Sequence, residues 1–175
     1  EAGFARQRSA ALRPAAENVK VQVRFNPARA GHYRLVGFEK HRLREEDFRN
    51  DAVDAAEISS EEAAVAVYEI EALPQGEGEL GEVFVRFRDA ASKTMVEHSW
   101  TLPYESRAAA FDRASPSLQL AGTAAALAEK LRGGPAGDRV DLDQLAPIVN
   151  ALRSRRPDDK RIQELATLFE QMRRM

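Results

Sequence analysis

Four oxygen-bearing side chains, Asp47, Asn50, Asp51 and Asp54, fall at i, i+3, i+4 and i+7 within YRLVGFEKHRLREEDFRNDAVDAAEI, residues 33–58. On a short helix that spacing places all four on one face. Such a face could hold a hard cation, but calcium takes about six to eight oxygens, often including the carbonyls of a bent loop. The EF-hand spacing and its glycine are missing here. Paired carboxylates can also act as acid and base, which needs a pocket that brings two of them together. The third reading is structural: Asp47 and Asp51 cap turns while Phe48 and Val53 pin the segment to a sheet. That reading is adopted, as a connection between strands with Glu45, Glu46, Asp47, Asp51 and Asp54 as candidate partner-contacting residues. Asp47, Asp51 and Asp54 remain the alternative metal loop. No residue is assigned a catalytic or cofactor-binding role, and no cofactor is expected.

Other apparent motifs lack the context their chemistry needs. GEGELG at 76–81 satisfies G-x-G-x-x-G, but its glycines precede a strand rather than open a helix, and Glu77, Glu79 and Glu82 would repel phosphate. GGPAGD at 133–138 lacks the Gly-Lys-Ser/Thr ending of a P-loop and reads as a helix terminator. His32, His41 and His98 are far apart and form no H-E-x-x-H pair. His98 shares an alternating face with Val96 and Trp100, as an imidazole packed at the edge of a core would. The basic run 153–161, RSRRPDDKR, nearly neutralises itself and suits a solvated turn between helices.

Composition sets the frame. With 175 residues, 43% hydrophobic and 31% charged, the chain can build one good core, or a medium domain and a smaller one. A net charge of −2 argues against nucleic acid as partner. The charge is unevenly placed, with eight Lys and Arg against three Asp and Glu in residues 1–40, and three against ten in 41–72. The absence of cysteine removes disulfides, thiolate metal sites and thiol nucleophiles. No apolar run approaches the roughly 18 residues of a membrane span. The first residue is not Met and the chain opens inside a helical pattern, so a piece of a longer protein is expected.

The elements that must carry these residues follow from periodicity. Residues 4–17 read as a helix ending near Pro14. Val19, Val21, Val23 and Phe25 then alternate with Lys20, Gln22 and Arg24, the pattern of a half-buried strand. Further strands are expected at 32–39, 63–72, 82–88 and 94–102, separated by turn-rich linkers. Short connections without intervening helices favour an antiparallel sandwich. After Pro103 the period becomes helical. Ser115-Pro116 opens a helix carrying a Leu118, Ala121, Gly122, Ala125, Ala128 stripe, with Leu120, Leu127 and Leu131 beside it. Asp141 caps a second helix, and Pro157-Asp158-Asp159 opens a third. The expected fold class is α+β, an antiparallel β-sandwich followed by a small C-terminal helical unit.

Several of these residues also carry a resemblance. VKVQVRFNP at 19–27, the segment 33–58 and VAVYEI at 65–70 are similar to the domain of unknown function that follows the von Willebrand factor type A domain in bacterial envelope proteins, several of them predicted lipoproteins. The family's Asn-Pro is matched by Asn26-Pro27, and its Tyr-Arg-Leu-aliphatic-Gly-aromatic-Glu by Tyr33 through Glu39. Its Glu-Asp-Phe is matched by Glu46-Asp47-Phe48, and its Asp-Ala-x-Glu-Ile by Asp54 through Ile58, with Ala56 standing where glycine is usual. The likeness runs over roughly 18–105 and continues more weakly through the helices. It implies three parts: residues 1–17 as the terminal helix left from the preceding A domain, 18–105 as the sandwich, and 106–175 as three helices. The ion-dependent adhesion motif D-x-S-x-S would then lie upstream. It further implies a non-enzymatic accessory module supporting protein–protein interaction in the cell envelope, with the A domain and an unidentified envelope protein as partners. Membrane attachment would come only through an N-terminal lipid anchor outside these residues. The alternatives are a calcium-stabilised sandwich that binds sugar or peptide, and a carboxylate-dependent hydrolase. A sheet edge left unpaired is expected to be covered by the N-terminal segment, the helical unit or a neighbouring molecule.

Overall fold

The computed structural model describes residues 14–37, 43–53, 55–59 and 63–175. Among them are six strands: β1 (Pro14–Phe25), β2 (Ala30–Val36), β3 (Ala56–Ser59), β4 (Val67–Ala72), β5 (Gly81–Asp89) and β6 (Met95–Leu102). Four helices follow, α1 (Pro116–Arg132), α2 (Pro135–Asp138), α3 (Leu142–Arg155) and α4 (Lys160–Arg173). The class is α+β with antiparallel strands. β3, β1, β5 and β6 form a four-stranded sheet in that order, and β2 pairs with β4. The chain divides into two compact units. One comprises residues up to 34, 38–65 and 69–106; the other comprises 35–37, 66–68 and 107–175.

The expected helix over 1–17 does not extend to its last four residues. Residues 14–17 already belong to β1, where Ala16 pairs with Ile58 of β3 on one side and Asp89 of β5 on the other. Pairing on both edges overrides the helical preference of Ala and Glu. Residues 1–13 lie outside the described residues. The short strand β3 was not anticipated, because AEIS carries too few residues to show a period. A bulge between Glu17 and Lys20, with Asn18 at φ 51°, resets the alternation of β1. Beyond it Val21 pairs with Val85, and Lys20 with Arg86, so apolar and charged residues fall on opposite faces of one sheet.

The turn after β1 is held by side chains. Asn26 Nδ2 donates to the carbonyls of Glu77 and Glu79 at 2.8 and 2.9 Å, and its Oδ1 accepts from Ala28 N. The Arg29 guanidinium donates to the carbonyls of Gly78, Leu73 and Pro74 and lies 3.9 Å from the Tyr104 ring centroid. Thus the GEGELG carbonyls accept from Asn26 and Arg29. Gly76 is required there because a Cβ would strike the carbonyl of Ala28.

In the helical unit the anticipated caps are present. Ser115 Oγ accepts from Leu118 N, Asp141 from Asp143 N and Gln144 N, and Asp159 from Arg161 N. GGPAGD ends α1 and also makes the four-residue α2, so the unit has one helix more than the three expected. The core is Leu127, Leu145, Ile148, Val149, Leu152, Ile162, Ala166, Phe169 and Met172. The stripe expected on α1 is rotated. Leu118 and Leu131 are more than half exposed, while Gln119, Thr123 and Leu127 face inward. Gln119 earns that position by donating to the carbonyls of Phe111 and Asp112 at 3.2 and 2.7 Å.

Candidate functional site

The acidic segment folds as consecutive tight turns, not as a helix with one acidic face. Glu45–Asp47 is a single 3₁₀ turn, and the following amides of Asn50 and Val53 donate to the carbonyls of Asp47 and Asn50. Phe48 is only 4% exposed and meets Phe84 of β5 edge-on, with ring centroids 6.4 Å apart. Phe48 is therefore the apolar pin, and it presses the loop onto the charged face of the sheet.

That face supplies cations to the loop. Lys20 is 1% exposed, and its Nζ donates to the carbonyls of Asn50 at 2.6 Å and Asp47 at 3.2 Å. A buried ammonium survives only where its donors are taken up, and here two loop carbonyls take two of its three N–H donors. These are the carbonyl oxygens of a bent loop that a hard metal would use, and the Lys20 ammonium already sits on them. Arg86, beside Lys20 on β5, reaches both oxygens of Asp51 at 2.9 and 3.0 Å and Glu97 at 3.5 Å. Arg49 of the loop donates to the same Glu97 at 2.7 and 3.3 Å. Asp47 is buried and accepts from Arg44 Nε at 2.9 Å. The hydrogen bond from Arg49 above all, with the charges of Arg49 and Arg86, holds the Glu97 carboxyl below the usual glutamate range.

The sequence-derived residues separate accordingly. Asp47 is held through Oδ2 by Arg44, and Asp51 through both oxygens by Arg86. Glu46 pairs with Arg44 at 2.9 Å, and Glu45 stands 4.0 Å from Arg24; both are exposed. Asp54 lies outside the described residues, as does His41. Among the described residues, no three of His, Asp and Glu come together at metal-holding distance. The Asp89 turn between β5 and β6 is likewise internal. Its carboxyl is lowered first by the Ser92 backbone N–H and then by the Ser92 hydroxyl. Sequence reasoning missed Lys20, Arg86 and Glu97 because their alternation assigned them to solvent. The signal lay in the charge blocks, a basic 1–40 followed by an acidic 41–72 that could neutralise it.

The opposite face of the sheet has the reverse character. Val21, Val85 and His98 form one cross-strand row, and Val23, Val83 and Trp100 the next. No side chain on these rows is buried, and Val21 and Trp100 are 53% and 54% exposed. Ring contacts run from Phe87 to His98 at 6.1 Å and from His98 to Trp100 at 5.8 Å. At one end Tyr33 of β2 lies 4.4 Å from Phe25. The expected placement of His98 at the edge of a core is therefore corrected: it stands exposed on an open apolar face.

Residues 10–78 match the family described as "Uncharacterized protein YfbK, C-terminal". A stretch of 55 residues is 44% identical to "Uncharacterized protein YfbK" of Escherichia coli (strain K12). That alignment covers 31% of this chain and spans only 10% of the length of that relative. No solved structure matches. The matched residues include Lys20 and the acidic loop; Arg86, Glu97, Trp100 and the helices fall outside them. No helix among the described residues is long and apolar enough to cross a membrane.

Proposed function

We propose that this chain is a non-enzymatic accessory module that makes protein–protein contacts, carried C-terminal to a von Willebrand factor type A domain in a bacterial cell envelope. The observation that carries the reading is the uncharged sheet face around Val85, on which His98 and Trp100 are exposed and no side chain is fully buried, while the opposite face carries the covered Lys20 and Phe48. Exposed contiguous apolar surface of this kind marks interaction sites, and aromatic residues such as Trp are enriched at interface centres. The family resemblance supports the domain context and the envelope location. The acidic loop serves this module as internal scaffolding, a role supported by the arginine partners of Asp47 and Asp51.

The test is affinity capture from envelope extract with the chain, a Trp100→Lys variant and an Asp51→Asn variant, each checked for unchanged circular dichroism. Trp100→Lys is expected to lose captured protein at least tenfold, and Asp51→Asn to retain it. Equal capture by Trp100→Lys and the parent chain would overturn the reading.

A further inference from the structure

We propose that the open apolar face of the four-stranded sheet is a self-complementary contact surface whose partner is the same face of a second copy, the two sheets stacking as the layers of a β-sandwich. This rests on the interaction reading above and names its partner.

The first support is what the strand-built unit lacks. Apart from Ala30 and Phe48, every buried apolar side chain among the described residues belongs to the helical core. Three neighbouring strands nonetheless carry Val, Phe and Trp in register on one face. An apolar sheet face is normally buried against another layer, and that layer is missing from the described unit. The second support is charge. Lys20, Arg86 and Glu97 of these strands all occupy the opposite face, where they hold the loop. The apolar rows hold one titratable group, His98, and no carboxylate, lysine or arginine. A surface without fixed charge meets its own image without like-charge repulsion, as a two-fold interface requires.

Size decides the strength. The rows of Val21 and Val23 are flanked by Phe87–Val96 on one side and Phe25–Gly81–Leu102 on the other. Three strands about 4.8 Å apart and four rows roughly 6.8 Å apart therefore give a patch of at most roughly 400 Å² in projection. A standard interface takes about 800 Å² of accessible surface per partner, so a concentration-dependent association is expected rather than an obligate dimer. Layers stacked about 10 Å apart at an angle near 30° would interleave the valine rows. Val85 lies on the middle strand of the three and in a middle row, so a two-fold axis through the patch brings it close to its own copy.

Trp100 is the chain's one tryptophan and reports directly on this face. The 175-residue chain is examined by sedimentation and by acrylamide quenching from about 1 to 100 μM. The expected result is a shift from monomer to dimer, with Trp100 quenching falling in parallel. Trp100→Lys should weaken dimerisation at least tenfold. Because the chain has no cysteine, Val85→Cys gives a single thiol that should oxidise to a linked dimer, while Ser154→Cys, at an exposed position on α3, should not. A monomer with freely quenched Trp100 at all concentrations overturns the second copy; if Trp100→Lys still loses captured protein, the interaction reading stands with a different partner. A monomer whose Trp100 is shielded assigns the cover to another part of the same chain and overturns the inference. A dimer that survives Trp100→Lys places the contact elsewhere, such as the outer edge of β6, and overturns it as well.

Discussion

The two units of this chain bury opposite chemistry. The helical unit interlocks nine apolar side chains from α1, α3 and α4, with Glu129 buried and paired to Arg132 at 2.9 Å. The strand-built unit buries Lys20, Arg29, Asp47, Ala30 and Phe48, and leaves its valine rows half-buried to exposed. Local patterning determines the cover of a helix but not that of a strand. A helix with one apolar stripe finds its cover in neighbouring helices a few residues away. An alternating strand defines two faces, but which one is covered depends on what else reaches it. Here a loop with one phenylalanine and a set of carbonyls and carboxylates reached the charged face. Single substitutions should therefore cost the two units in different ways.

The largest effect belongs to the helical core. Phe169 is 1% exposed within the cluster, and Phe169→Ala should cost about 3–5 kcal/mol by lost transfer and residual cavity. Denaturant unfolding followed by circular dichroism reads this. A cost below about 1 kcal/mol would mean the helices do not form a packed core, and the contrast between the units would lose one side.

The second effect tests the other side. Lys20→Met keeps the length of the side chain but removes the ammonium from the carbonyls of Asp47 and Asn50. One buried acceptor, the Asp47 carbonyl, and one part-buried acceptor, the Asn50 carbonyl, are left short of a donor, at a cost of about 1–2 kcal/mol in total. The amides of residues 47–53 should exchange with solvent faster, while those of α3 and α4 stay protected. Apolar replacement of a buried ion can also stabilise a protein. A rise in stability with unchanged exchange would show that Phe48 and the arginine pairs hold the loop without Lys20.

Much of this was legible in the sequence and some was not, for physical reasons. The helix caps Ser115, Asp141 and Asp159 were readable because a cap acts within three residues of itself. The strands carrying Val19–Phe25, Val83–Phe87 and Val96–Leu102 were readable from their period of two. The role of Phe48 as a pin was readable too, since one aromatic residue stood in an otherwise polar segment. Burial of Lys20 was not, because its partners are backbone carbonyls 27 and 30 residues away, and carbonyls leave no trace in residue identity. The inward turn of Gln119 was hidden likewise, its acceptors being the carbonyls of Phe111 and Asp112. The four acidic positions at helical spacing misled, because in place of one continuous helix the segment folds as a 3₁₀ turn followed by further tight turns.

The smallest effect distinguishes the units by acid. In the folded chain Glu97 titrates below its ordinary range because Arg49 hydrogen-bonds its charged form, and Asp89 is lowered by the Ser92 donors. A carboxyl with a depressed folded value binds fewer protons than its unfolded counterpart through the acid range. Its contribution to stability is therefore complete above the ordinary carboxylate values and is lost as pH falls through the folded one. Glu97 bridges Arg49 of the loop and Arg86 of β5, so its protonation removes an anion shared by two guanidinium groups and loosens the loop first. Protection of the 47–53 amides should decline as pH is lowered from about 7 to about 3, with the helical amides changing less. Glu97→Gln should flatten that decline and lower protection at neutral pH modestly, since a neutral amide can still accept from Arg49 but carries no charge. If the variant loses protection with the same acid slope as the parent chain, the pH response arises from other carboxylates, and Glu97 is merely a spectator at the rim of the covered face.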